Sequence, residues 1–206
     1  MRGPQPSFYI SAAMKFLAGL VHVAVASQVV FDSRDPLAKG ALGTPVSRKH
    51  GAAVQFRTPS AAEAACGAAG LTVDHVTFTV DTSNMDEDPS LWLQVDLCPS
   101  VNDMPNCTKS DKSARIPIDR FAKRVPFEWF PASPIVLDPL TSYWFTVLSN
   151  GENEKMLPMW MDGAKEFTSI NDPDDYVLTA YTKGGSWYVN APFGDRTVPS
   201  MQVYTN

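Results

Sequence analysis

Leu91-Trp92-Leu93-Gln94-Val95-Asp96-Leu97 is the stretch that decides how this chain folds. Leu91, Leu93, Val95 and Leu97 recur with a period of two, and Trp92, Gln94 and Asp96 point the other way. That period is the signature of a strand with one face in a core. The pattern returns in Val76-Thr77-Phe78-Thr79-Val80 and in Val125-Pro126-Phe127-Glu128-Trp129. Pro126 cannot donate to a ladder and marks an edge or a bulge. Ser142 to Leu148 is rich in aromatic and β-branched residues. Val177–Thr182 and Ser186–Asn190 flank Lys183-Gly184-Gly185, a hairpin signal. Ala53–Arg57 and Ser200–Tyr204 complete the predicted strands.

Turn clusters such as Asp81-Thr82-Ser83-Asn84 and Asn171-Asp172-Pro173-Asp174-Asp175 separate them. The chain of 206 residues holds 17 prolines and 12 glycines, placed mostly between these runs. The one helix candidate, Ser60 to Gly67, has a capping box in Ser60 and Glu63 but is short. The expected fold is all-β: an antiparallel β-sandwich, jelly-roll-like, in one domain over residues 27–206.

Residues 1–26 read as a cleaved signal peptide. Lys15 precedes an apolar run from Phe16, which ends in Ala24-Val25-Ala26 before Ser27. A basic start, a short apolar stretch and a small-x-small site make a secretory leader. The run is too short for the roughly 20 residues of a membrane-spanning helix. Met14 alone could start a compact signal, which makes residues 1–13 an extension. The C-terminal run Met201 to Asn206 has no apolar tail, so no stable membrane anchor is expected, and the protein is predicted to be secreted.

The formal net charge is −5, and losing Arg2 and Lys15 with the leader makes it more negative by two. Such a chain does not suit a nucleic-acid groove, which needs clustered Lys and Arg. In an oxidising compartment Cys98 and Cys107 are the natural pair, closing a loop rich in Pro, Asn and Asp. Cys66 is left over among alanines and reads as a buried thiol or an intermolecular bridge. Asn106-Cys107-Thr108 is a formal glycosylation sequon at Asn106, which a disulfide at its middle residue would hinder.

Ala53-Val54-Gln55-Phe56 and Leu71 to Phe78 resemble the opening of a bacterial extracellular sandwich module of the choice-of-anchor type. The strongest likeness is Phe127 to Leu137 followed by Leu140-Thr141-Ser142-Tyr143-Trp144-Phe145-Thr146-Val147-Leu148. This is similar to the family's Leu-x-Pro-x-Thr-x-Tyr-Trp turn and core strand. The resemblance implies an all-β surface or secreted module with no catalytic residues to carry over.

Enzyme signatures are missing: there is no His-Glu-x-x-His, Gly-x-Ser-x-Gly, P-loop or dinucleotide fingerprint. Beyond the leader only His50 and His75 remain. His75 is expected as a solvent-facing strand residue rather than a base, and His50 lies in a basic turn. Acidic turns offer a calcium site at Asp86 and Asp88 or at Asp172 and Asp174, since calcium takes many oxygens from such loops. Calcium is the one cofactor this composition accommodates.

A two-residue Gly184-Gly185 turn would pair Thr182 with Trp187 and Tyr181 with Tyr188. Trp187, Val189, Ala180 and Leu178 then face the core, and Tyr181 and Tyr188 stand together on the reverse face. Trp92, Gln94 and Asp96 are likewise off the core. Flat rings beside polar groups suit stacking on sugars. The sequence thus points to a secreted, non-enzymatic module that binds a glycan or an extracellular partner through Trp92, Gln94, Asp96, Tyr181 and Tyr188. Trp129, Trp144 and Trp160 are expected in the core. Two alternatives stay open. One is a lyase or hydrolase using His75, Tyr181, Arg115 and loop carboxylates. The other is a structural wall or coat component.

Overall fold

Two antiparallel sheets face each other in the computed structural model, which describes residues 27–33, 35–36, 43–60, 71–107, 113–166, 177–190 and 197–206. The predicted signal segment, the body of the helix candidate, Cys66, Asp172 and Asp174 lie outside the described residues.

The first sheet runs β1 (Gln28–Asp32), β15 (Met201–Thr205), β4 (Leu71–Asp81), β11 (Met159–Glu166) and β14 (Thr197–Pro199). Strand β2 (Gly43–Pro45) pairs with β11, and β8 (Val125–Trp129) and β9 (Val136–Leu137) pair with β4. The second sheet runs β13 (Ser186–Val189), β12 (Thr179–Lys183), β3 (Ala52–Arg57), β10 (Ser142–Ser149), β5 (Trp92–Val101) and β6 (Met104–Pro105), with β7 (Ala114–Pro117) also on β5. From β3 to β5, and again from β8 to β12, the main strands alternate between the two sheets. The architecture is therefore an all-β sandwich, as the alternating runs predict.

The inward residues are those the period of two selects. Leu93, Val95 and Leu97 of β5 meet Val76, Phe78 and Val80 of β4 in one buried cluster. Phe78 of the first sheet packs on Phe145 of the second at 5.4 Å, and Trp160 meets both rings edge-on. Removing this apolar area from water is the main force holding the sheets together. Pro126 sits in β8, which pairs with β4 alone among the described residues and so tolerates a missing donor.

The Leu137-Asp138-Pro139-Leu140-Thr141-Ser142-Tyr143-Trp144 motif has a physical explanation. Leu137 is fully buried, and the chain turns through Leu140 at a φ of 52°. The Tyr143 hydroxyl then accepts the Asp138 N–H at 2.9 Å. Thr58 ties both sides of the corner, donating to Asp138 O and accepting from Thr141 N. The motif is a corner that carries the chain from the first sheet into β10 of the second.

One expectation about faces is reversed. Tyr181 pairs with Ala52, whose side chain is in the inter-sheet core, so the tyrosines stand on the inward side of the second sheet. Ala180 and Leu178, with Trp187 and Val189, pack instead on the outward side with Ala53, Trp144 and Cys98. The reason is that this sheet is covered on both faces. The Cys98–Cys107 disulfide ties the segment after β6 back onto the outward side of β5, and β13 comes within contact of β6 from the other edge. Two apolar faces leave hairpin periodicity unable to say which one meets the other sheet.

Candidate functional site

The five predicted ligand residues do not form one groove. Asp96, Thr146, Ala53 and Ala180 are successive cross-strand partners, which puts Asp96 and its face-mates Trp92 and Gln94 on the outward side. Tyr181 and Tyr188 stand on the other side, with β3 and β10 between their hairpin and β5. Trp92 carries the Arg115 guanidinium over its ring at 4.5 Å, and Asp96 is buried under the disulfide loop. Trp92 remains partly exposed beside that guanidinium.

Tyr181 and Tyr188 are exposed. The Gly184-Gly185 turn takes φ values of 61° and 83°, the left-handed region that glycine enters freely. It sets the predicted register, and the two rings stack at 5.7 Å. Tyr181 keeps 39% and Tyr188 46% of its surface in solvent. Thr182 fastens the hairpin to the preceding loop, accepting from Gly51 N and donating to Lys49 O. A cleft of about 220 Å³ opens at that loop, between Arg48, Lys49 and His50 on one side and Glu152 and Glu154 on the other.

Asp86 and Asp88 are exposed, and Asp88 caps its own turn by accepting the Ser90 N–H. That hydrogen bond holds its carboxyl below the usual range. Among the described residues, three ligand-bearing groups gather only at Asp96, Cys98 and Cys107, and the two sulfurs there are joined in the disulfide. Asn106 is half-buried with its backbone tied to Pro99. Thr108 of the sequon is outside the described residues.

The solvent side of the first sheet holds an arrangement that the sequence reasoning passed over. Thr205 pairs with Val73 and Tyr204 with His75, so Asp74 is an extra residue and β4 bulges there. Asp74 and His75 both turn outward. His75 Nδ1 lies 2.8 Å from Asp74 Oδ2, and its ring is held between Tyr204 at 4.2 Å and Phe130 at 5.1 Å. An ionised carboxylate only accepts, so Nδ1 is the donor in this contact. Asp74 also accepts from Ser27 and Asn206. The His75 bond is the largest cause holding its carboxyl below the ordinary value.

In the next row Gln202 Oε1 accepts from the Tyr204 hydroxyl at 2.9 Å and from Thr77 at 3.4 Å. A cleft of about 200 Å³ adjoins this row, lined by Thr77, Thr79, Gln202, Asp35 and Pro126. A signal for the bulge was present: the buried alternation Leu71, Val73 changes phase before Val76, Phe78, Val80.

Family models, curated proteins and solved structures were each compared with this chain, and none matches it.

Proposed function

We propose that this protein is a secreted, non-enzymatic β-sandwich that binds a glycan. The observation that carries the proposal is the exposed, stacked Tyr181–Tyr188 pair on the β12–β13 hairpin, which Thr182 ties to the loop that lines a cleft of mixed charge. Aromatic faces suit the apolar face of a pyranose, and side chains of both signs offer donors and acceptors to its hydroxyls. The leader-like residues 1–26, the acidic composition and the choice-of-anchor-like corner agree with an extracellular role.

Binding of a polysaccharide panel by calorimetry is the test. Tyr181→Ala with Tyr188→Ala should weaken binding at least tenfold while leaving the melting temperature in place. Unchanged affinity in that variant would remove the site.

A second reading, a polysaccharide-cleaving enzyme, is favoured by the Asp74–His75 pair beside Tyr204, since an oriented imidazole can act as a general base. It requires product release that His75→Ala abolishes. Wild-type protein that releases no reducing or unsaturated ends would dismiss it.

A further inference from the structure

We infer that Asn150-Gly151 is a modification site: a deamidation site that the native fold holds closed and that, once reacted, loosens the end of β10 from the start of β5 and shifts one wall of the mixed-charge cleft. The inference goes beyond the glycan reading and does not depend on it.

The chain holds one Asn-Gly dipeptide, at 150 and 151. Glycine has no Cβ to hinder approach and turns freely, so its backbone nitrogen reaches the preceding side-chain amide most readily. Gly151 N bonds to Asn150 Cγ, the Cγ–Nδ2 bond breaks, and ammonia leaves with the proton that Gly151 N gave up. The product is a cyclic succinimide. Water then adds to either ring carbonyl and opens it. One opening leaves aspartate; the other routes the backbone through the side chain as isoaspartate. The net change is amide plus water to carboxylic acid plus ammonia, with no oxidant or reductant.

The fold occupies the groups this step needs. Asn150 Oδ1 accepts the Trp92 N–H at 2.7 Å, and its Nδ2 donates to Ser90 O at 2.8 Å. Its own N donates to Trp92 O at 3.2 Å. A backbone N–H only donates and a carbonyl only accepts, so these partners fix which way the amide faces. Asn150 thus straps the residue after β10 to the segment that opens β5. Gly151 N donates to Ser149 Oγ at 3.0 Å, and Ser149 and Gly151 are both buried. Attack has to give up these bonds, so local opening of the turn precedes the chemistry.

The product does not fit the same place. A carboxylate at 150 still accepts from Trp92, but it has no proton for Ser90 O and sets acceptor against acceptor. Isoaspartate also adds a methylene to the backbone just before Gly151. Gly151, Glu152 and Glu154 form one wall of the cleft that Arg48, Lys49 and His50 face, and Arg48 Nη1 reaches Glu152 Oε1 at 3.4 Å. A longer backbone at 150 displaces that wall against the basic loop.

The test incubates the full chain in mildly alkaline buffer, native and in urea, and measures aspartate and isoaspartate at 150 by peptide mapping with mass spectrometry. The unfolded chain should react at least tenfold faster than the native one. Ser149→Ala, which frees the Gly151 N–H, should raise the native rate at least threefold. Gly151→Ala should slow the unfolded chain at least tenfold and still fold, since Gly151 is not among the glycines of positive φ and an added Cβ meets Leu157 and Ser149 no closer than 3.4 Å. Equal native and unfolded rates would overturn the protection, and no product at 150 from the unfolded chain would overturn the site. In aged wild type and in Asn150→Asp the His50 ring protons should shift and the urea midpoint should fall. His50 signals that stay in place in both would overturn the effect on the cleft. No readout uses a glycan, so failure here is separate from failure of the glycan reading.

Discussion

Asp74 Oδ2 and His75 Nδ1 lie 2.8 Å apart, although the two are neighbours in sequence on one strand. Successive strand residues normally point to opposite faces and cannot meet this way. The bulge opposite Tyr204 turns both outward and makes the pair. A local irregularity of the ladder, not a loop, thus creates the most organised polar cluster on this face.

Asp74 links that pair to acid stability. Its carboxyl titrates below the ordinary Asp value of about 3.9, because the folded state stabilises the charged form. The contribution is complete above the unfolded value and is lost as pH falls through the folded one. Stability measured by urea unfolding should be insensitive to this group above about pH 5 and fall below pH 4. Asp74→Asn should flatten that fall, and an unaltered acid limb would show that the pair does not act this way.

Tyr143 tests the corner. Tyr143→Phe keeps the ring against Phe56 but leaves the Asp138 N–H without its acceptor. A loss of about 0.5–1.5 kcal/mol is expected, read from the urea midpoint. Burial is the larger cause raising the Tyr143 hydroxyl above its usual pKa, so it stays protonated and available throughout the neutral range.

Three buried tryptophans differ in what their indole N–H meets. Trp160 donates to Ser200 O at 2.9 Å and Trp144 to Ser100 Oγ at 3.1 Å, whereas Trp129 Nε1 has no partner among the described residues. Replacing each by Phe removes similar volume. Trp129→Phe should therefore be the mildest of the three, by about 1–3 kcal/mol against the variant that leaves a buried acceptor unpaired. Equal losses would mean that volume alone decides.

Cys98→Ser with Cys107→Ser should cost about 2–3 kcal/mol from the loop-closure entropy of a short loop. It should also expose Trp144, since Cys98 is in the cluster that buries it. A red shift of native-state tryptophan emission would report the second effect. Unfolding that is unaffected by reduction would deny the disulfide any structural part.

Much of the site could be read along the chain. The Tyr181–Tyr188 pairing was legible because a two-glycine turn and a short hairpin fix their own register. The burial of Trp129 and Trp144 followed from their setting in β-prone runs, whereas Trp160 was expected in the core without a predicted strand around it. Strand β11 was harder, for Met159-Trp160-Met161-Asp162 shows little alternation, and its partners β2, β4 and β14 are distant in sequence. Trp92 looked available because nothing local announces that Arg115 will lie over it from a neighbouring strand.

What the amino-acid sequence determined by itself is local: strands of period two, glycine turns that set one hairpin, a cysteine pair close enough to close, and an acidic composition. Those properties depend on neighbours within a few residues, where backbone sterics and side-chain alternation act directly. The tertiary structure alone decided which face of the second sheet meets the first, because both faces are apolar and only the disulfide loop and β13 distinguish them. It alone brought Phe130, just past the end of β8, and Tyr204 of β15 to His75 on β4. Pairing across a sheet depends on register between segments far apart in the chain, and alternation within one strand carries no information about the partner.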